Sequence, residues 1–101
     1  MQPKQFFEEL PAKADPERIA GIEHAFFFDI AGAGRWLVEL HAGKLTVTED
    51  AEGDGDAVFS MSAETFDRIT EGKQNPMIAY MTGKVKVSGD VKAAMDLQKI
   101  R

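Results

Sequence analysis

The stretch MSAETFDRITEGKQNPMIAYMTGKVKVSGD, residues 61–90, decides how this chain folds. It predicts the end of a strand, two short helices, a tight turn and a further strand within thirty residues. Ser62 is typical of a helix N-cap, and Gly72 suits the left-handed position that follows a helix. Asn75 and Pro76 predict the start of the second helix, as its N-cap and its first residue. The apolar residues here are Met, Phe, Ile and Tyr, and none of its side chains makes a convincing catalytic group.

The remaining elements follow from patterning on either side of this stretch. A helix is predicted from Pro3 to about Lys13, with Pro11 near its end, and Asp15 with Pro16 predicts a turn or a second helix start. Alternating apolar residues then predict five strands, over 24–30, 35–41, 44–48, 56–62 and 84–88. Apolar residues at helical spacing predict a last helix over 91–100.

The first of these strands is apolar on both sides. Phe26, Phe28 and Ile30 point one way and Phe27 points the other, so we predict a central strand that is covered on both faces. Hairpin links between successive strands imply antiparallel pairing. The element order predicts an α+β fold, with a five-stranded, mostly antiparallel sheet and helices packed on one face.

Length and charge limit the functional classes. The 101 residues suffice for one domain, residues 1–101. The net charge of −5 argues against binding to nucleic acid and, on average, against binding to anionic membrane surfaces. Lys84 and Lys86 nevertheless form a local basic spot to which another molecule can bind. No apolar run is long enough for a spanning helix and the first residues lack a signal-peptide core, so we predict a cytoplasmic protein without stable membrane insertion.

The motifs that carry chemistry are incomplete in this sequence. The acidic loop Asp50–Gly55 partly matches a calcium-binding loop, but Met61 stands where the closing bidentate Glu is needed, so a solvated turn is the better interpretation. His24 and His41 lie far apart at predicted strand ends, in no zinc or hydrolase motif. We therefore predict no metal, no cofactor and no catalytic residue. An enzyme stays an alternative only if one of these histidines meets a carboxylate inside a pocket.

What remains is a surplus of large, adaptable apolar side chains. Methionine suits irregular and pliable sites because it is unbranched and polarizable. On composition alone, an ordinary packed core accounts for this surplus better than a ligand pocket does. The residues are Phe26, Phe27, Phe28, Phe59, Met61, Phe66, Met77, Tyr80, Met81 and Met95.

An ordered series of short motifs favours the pocket instead. The two most specific spacings are Gly-x-x-Asn-Pro at 72–76 and Gly-Lys-x-Lys-x-x-Gly-Asp at 83–90. With them, over residues 26–100, the chain resembles the sterol-carrier-protein-2-like family of lipid-binding domains. The other motifs, in the same order as in that family, are FFFDI at 26–30, Trp36, Gly43, DAVFSMS at 56–62, Phe66 and YM at 80–81.

The resemblance implies an apolar tunnel between the sheet and its helices, without catalysis or metal. It implies a sterol, fatty acid, fatty acyl-CoA or phospholipid as the ligand, and leaves the choice among them open. It also leaves open a homodimer in which a second subunit completes the cavity, and an accessory protein that presents apolar substrates to a partner enzyme. The residues that we predict to line the tunnel are Phe28, Phe59, Phe66, Met77, Met81, Met95 and Leu97.

Overall fold

A computed structural model describes residues 2–53 and 55–96, and its elements follow the predicted order. The second helix start at Asp15 is real, because the Asp15 carboxylate accepts a hydrogen bond from the Glu17 amide at 2.9 Å. The elements are α1 (Pro3–Lys13), α2 (Pro16–Ile19), β1 (His24–Ala31), β2 (Gly34–His41), β3 (Lys44–Glu49), β4 (Ala57–Ser62), α3 (Ala63–Thr70), α4 (Pro76–Met81), β5 (Val85–Gly89) and α5 (Val91–Asp96).

The five strands form one mixed sheet in the order β3-β2-β1-β4-β5. Three of the four neighbouring pairs are antiparallel, which confirms the mostly antiparallel prediction. The central pair, β1 with β4, is parallel, because the chain crosses back past β2 and β3 before it forms β4. In this register Phe28 on β1 lies opposite Trp36 on β2 and Phe59 on β4.

The helices gather on one face of this sheet, as predicted. Phe7 of α1, Phe66 of α3, Ala79 of α4 and Ala93 of α5 all belong to the same buried cluster as the inward strand residues. Burial of these side chains is the main driving force for packing helices against strands. The inward strand residues of the cluster are Phe26, Phe28, Ile30, Trp36, Val38, Leu40, Leu45, Ala57, Phe59 and Val85, with Val47, Met61 and Val87 partly buried against them.

The opposite face of the sheet is covered at Phe27, which is 3% exposed. The cover is the β3–β4 connection rather than a helix. A Cβ placed on Gly55 would lie 3.1 Å from the Phe27 ring, and the Arg35 guanidinium lies 4.6 Å from the centre of that ring. Arg35 also donates a hydrogen bond to the Gly53 carbonyl. The prediction that β1 is covered on both faces is therefore confirmed.

The predicted helix caps are also confirmed. The Ser62 hydroxyl accepts from the Thr65 amide at 3.1 Å, and Asn75 Oδ1 accepts from the Met77 amide at 2.8 Å. A further cap, in addition to those two, stands at the start of α5, where Asp90 Oδ1 accepts from the Lys92 amide at 2.9 Å. Of the helix predicted over 91–100, the structure shows 91–96, and the remainder lies outside the described residues.

Candidate functional site

The inner face of the sheet is packed solid where α1 and α3 cross it. Phe7 lies at the centre of an aromatic cluster: its ring centroid is 4.9 Å from Trp36, 5.2 Å from Phe28 and 5.5 Å from Phe66. Phe28 in turn stacks on Phe59 at 5.1 Å. Ring pairs at these separations contribute attraction beyond the area that they bury.

Three of the predicted lining residues therefore meet one another in this cluster. Phe28, Phe59 and Phe66 are each less than a tenth exposed. Their neighbours in the cluster include Phe7 and Trp36, which were not among the predicted lining residues. The helical spacing of Phe6, Phe7 and Leu10 showed that α1 has an apolar side, but not which half of the sheet that side covers.

The three predicted methionines lie elsewhere, on α4 and α5. Met77, Met81 and Met95 are 40%, 76% and 56% exposed. Both helices pack on β5, but the residues that they bury against the sheet are the small Ala79 and Ala93. The last predicted lining residue, Leu97, lies outside the described residues.

The sheet is thus covered in two different ways on its inner side. Over β1 and β2 the space is filled by aromatic rings, whereas over β4 and β5 short helices approach through alanines. Phe59 joins the two halves, because it stacks on Phe28 and lies opposite Val87 of β5. The alanine-faced half therefore places smaller side chains between helix and strand than the aromatic half does.

Two open depressions flank the turn between α4 and β5. One, of about 260 Å³, is lined by residues of β1, β4 and the turn, including Met61, Lys84 and Lys86. The other, of about 380 Å³, is more polar and is lined by Arg68, Gln74 and Lys84 together with Glu64 and Thr65. Lys84 lies between the two and contributes to both.

The two histidines lie on strands of the sheet, each with a carboxylate neighbour. His41 Nδ1 is 2.7 Å from a Glu23 carboxylate oxygen, and the side chain of His41 is 84% exposed. His24 Nδ1 is 3.6 Å from Asp56 Oδ2, and the same Asp56 oxygen accepts from the Ala25 amide at 2.7 Å. Asp56 therefore fixes the β3–β4 connection to β1.

Relatives of known name share this chain's sequence or fold. Hydroxysteroid dehydrogenase-like protein 2 of Xenopus tropicalis is 29% identical over 100 residues, which cover 96% of this chain and 24% of that protein. The sterol carrier protein domain 2 of Helicoverpa armigera superposes with a TM-score of 0.74 at 26% identity, over 93% of this chain and 78% of that one. The palmitated SCP2L2 of Aedes aegypti, at 23% identity, shares the fold with a TM-score of 0.80, over 99% and 94% of the two chains.

These likenesses agree with the family model that matches the chain. The chain spans about a quarter of the length of the first of these relatives. The model of the SCP-2 sterol transfer family matches residues 4–101, which includes every element described above except the first residue of α1. The chain belongs to the SCP-2 sterol transfer family.

Proposed function

We propose that this domain binds and carries an apolar ligand between α4, α5 and the β4–β5 half of the sheet, without acting on it chemically. The observation that carries the proposal is the placement of Ala79 and Ala93 against the sheet while Met77, Met81 and Met95 stay partly in water. A helix that buries only a methyl group is held weakly, so little packing is lost when it moves outward.

To enclose a ligand in this position, α4 and α5 have to turn as well as move outward, because Met77, Met81 and Met95 lie on the helix faces opposite Ala79 and Ala93. The methionine side chain has three rotatable bonds, so it can adopt a conformation that fits an irregularly shaped ligand. Phe59 and Val87, on the inner face of the sheet, would contact the ligand from the sheet side. Each methylene removed from water contributes about 0.8 kcal/mol before ordering costs, so an alkyl chain of ordinary fatty-acid length supplies the driving force unaided.

The family and the fold support an acyl or sterol-like ligand. A relative with this fold has been solved in a palmitated form, and others carry sterol in their names. We propose the same class here: sterol, fatty acid, fatty acyl-CoA or phospholipid. Catalysis is not part of the proposal, because His41 lies at the surface and His24 contacts Asp56, which is used to anchor a loop.

Displacement of a fluorescent fatty acid tests the proposal. We expect uptake that saturates at one ligand per chain. Met77→Gln and Met95→Gln keep the side-chain length but add polarity, and each should weaken binding by about tenfold, because a buried amide without partners costs roughly 1–3 kcal/mol. Leu37→Gln is the matched control, since Leu37 is half-buried on the other face of the sheet. Failure to saturate, or equal loss in all three variants, would contradict the site.

A second function is favoured by the greater length of the relatives. Because the chain covers 24% of a dehydrogenase-like protein and 19% of human sterol carrier protein 2, we also propose that such a domain can present an apolar substrate to a partner enzyme. A specific complex in pull-down from native cells would support this role. Native mass spectrometry of the same material shows whether the chain forms the homodimer that the resemblance leaves open, and it identifies the ligand by its mass. Cell fractionation tests the predicted cytoplasmic location.

A further inference from the structure

The more polar of the two depressions is a cleft between α3 and α4. One wall belongs to α3, and the other is formed by the residues that stand immediately before and after α4. Residues three or four positions apart share a face of a helix, so the α3 wall is a single stripe along that helix. The α3 residues are Glu64, Thr65 and Arg68, and the residues that flank α4 are Gln74 and Lys84.

Backbone hydrogen bonds fix both ends of this cleft. The Arg68 carbonyl accepts from the Lys73 amide at 2.8 Å and from the Gln74 amide at 3.1 Å, which turns the chain back after α3. At the other end, the Lys84 amide donates to the Ala79 carbonyl at 2.8 Å. Ala79 is the residue that α4 buries against the sheet, so Lys84 stands directly beside the proposed ligand site.

The cleft has an excess of positive charge. Within residues 2–53 and 55–96, no ion pair joins Arg68 or Lys84 to a carboxylate, whereas the Lys73 ammonium lies 3.4 Å from a Glu71 carboxylate oxygen. Glu64 contributes one negative charge to the lining against the two positive charges. The local field in the cleft therefore attracts an anionic group.

The polar side chains of the cleft are not equally available to a ligand. The Thr65 hydroxyl accepts from the hydroxyl of the α3 N-cap at 3.0 Å, and the Gln74 side-chain amide donates to the next carbonyl of the chain at 3.2 Å. The Arg68 guanidinium and the Lys84 ammonium are exposed and are the donors that remain. A guanidinium fork matches the two oxygens of a carboxylate, and an ammonium adds a compact positive charge.

We propose that Arg68 and Lys84 bind the anionic head of the ligand, so that the domain selects a long-chain carboxylate over an uncharged ligand. The inference rests on the proposed function, because the alkyl chain would lie in the β4–β5 half and the head in the cleft beside it. Hydrogen bonds to an ionised group are roughly twice as strong as those between neutral groups. Within the proposed class of ligands, this favours a fatty acid over a sterol, whose head is an uncharged hydroxyl.

A matched pair of ligands tests this selection. Palmitate and hexadecanol have the same alkyl chain and differ in the charge of the head. Each competes against a fluorescent fatty alcohol, a probe whose own binding does not need the two cations. We expect palmitate to bind about tenfold more tightly than hexadecanol, and we expect this preference to shrink as salt rises. Cholesterol should compete more weakly than palmitate.

Substitutions in the cleft should change the binding of palmitate alone. Arg68→Gln and Lys84→Gln each remove one exposed charge, and each should weaken palmitate about threefold to fivefold while leaving hexadecanol unchanged. Glu64→Gln should act in the opposite direction and strengthen palmitate about threefold, because it removes a repelling carboxylate. Arg18→Gln and Lys44→Gln are the matched controls, since both remove an exposed charge outside the cleft.

The outcomes separate this inference from the proposed function. Equal binding of palmitate and hexadecanol, or competition by cholesterol as strong as that by palmitate, would overturn the inference and leave the proposed function standing. A preference for palmitate that persists in both Arg68→Gln and Lys84→Gln would also overturn it, as would an equal loss in the two controls. If the fluorescent alcohol itself does not bind, the proposed function is wrong and the inference is wrong with it.

Discussion

Replacing Phe66 with alanine tests whether the aromatic half of the domain is filled or hollow. Phe66 is 4% exposed, and its ring lies 5.2 Å from Phe6 and 5.5 Å from Phe7. A phenylalanine buries about 200 Å². At about 25 cal/mol per Å² this is about 5 kcal/mol, of which the remaining methyl group of alanine retains about 1 kcal/mol. We therefore expect a loss of about 4 kcal/mol, within the range of such core truncations.

Urea unfolding of the ligand-free protein measures this loss. Trp36 is the sole tryptophan and is 2% exposed, so its fluorescence reports on the same core. With a denaturant slope of about 1.5 kcal/mol per molar, the midpoint should fall by about 2–3 M. Met81→Ala is the control, because a side chain that is 76% exposed should change stability by less than about 0.5 kcal/mol.

The opposite result would refute the packing that we describe. If Phe66→Ala lowers the free energy of unfolding by less than about 1 kcal/mol, the ring has few partners and borders a space already present in the ligand-free protein. The ligand would then bind among the aromatic rings, and the proposed site over the β4–β5 half of the sheet would be wrong.

Three further substitutions test the local structure. Asn75→Ala removes the cap of α4 and should cost about 1 kcal/mol, or about 5 °C in a thermal melt. Gly55→Ala should destabilise the domain by clearly more than Gly72→Ala, as measured by urea midpoints: both glycines have positive φ, but only at Gly55 does a new Cβ lie 2.5 Å from a carbonyl oxygen of β1. Arg35→Ala removes the cation over the Phe27 ring and the bond to the β3–β4 connection, so amides of that connection should exchange hydrogen faster by about tenfold.

Local patterns in the sequence predicted most of the elements. β1 and β2 end at glycine turns, and β2 and β3 alternate between apolar and polar residues, so the limits of these three strands are found within a residue or two. Ser62, Asn75 and Asp90 carry short side chains that reach the amides two or three residues ahead, and each caps the helix that was predicted to follow it.

The pairing of β1 with β4 is not contained in any local pattern. Alternation shows which side chains share a face, but it is the same for parallel and antiparallel neighbours. Residues 26 and 57 lie opposite each other although thirty positions separate them in the chain. Such pairing is decided by the packing of the whole inner face, where the aromatic cluster requires Phe28 and Phe59 to be adjacent.

The sequence pattern also did not predict which face of α4 turns toward the sheet. Its four large apolar residues do lie on one arc of the helix, and the ordinary expectation turns such an arc toward the core. In the structure this arc faces outward and Ala79 faces inward, because α4 lies close upon β5. The same four side chains fit either the wall of a pocket or an exposed surface, and periodicity does not distinguish the two.

The parallel pairing of β1 with β4 also has a consequence for how the domain can come apart. On one side of it lies the β1–β2–β3 meander with its aromatic rings. On the other lies β5, a five-residue strand that, among the strands the structure describes, pairs with β4 alone. Detaching β5 with α4 and α5 breaks one antiparallel pairing, that of β4 with β5, and leaves the strand pairings of the meander in place. We expect native-state hydrogen exchange to show this edge as a separate opening unit, with a lower free energy than global unfolding. Under the function proposed above, a ligand then needs only this unit to open, while the rest of the chain stays folded.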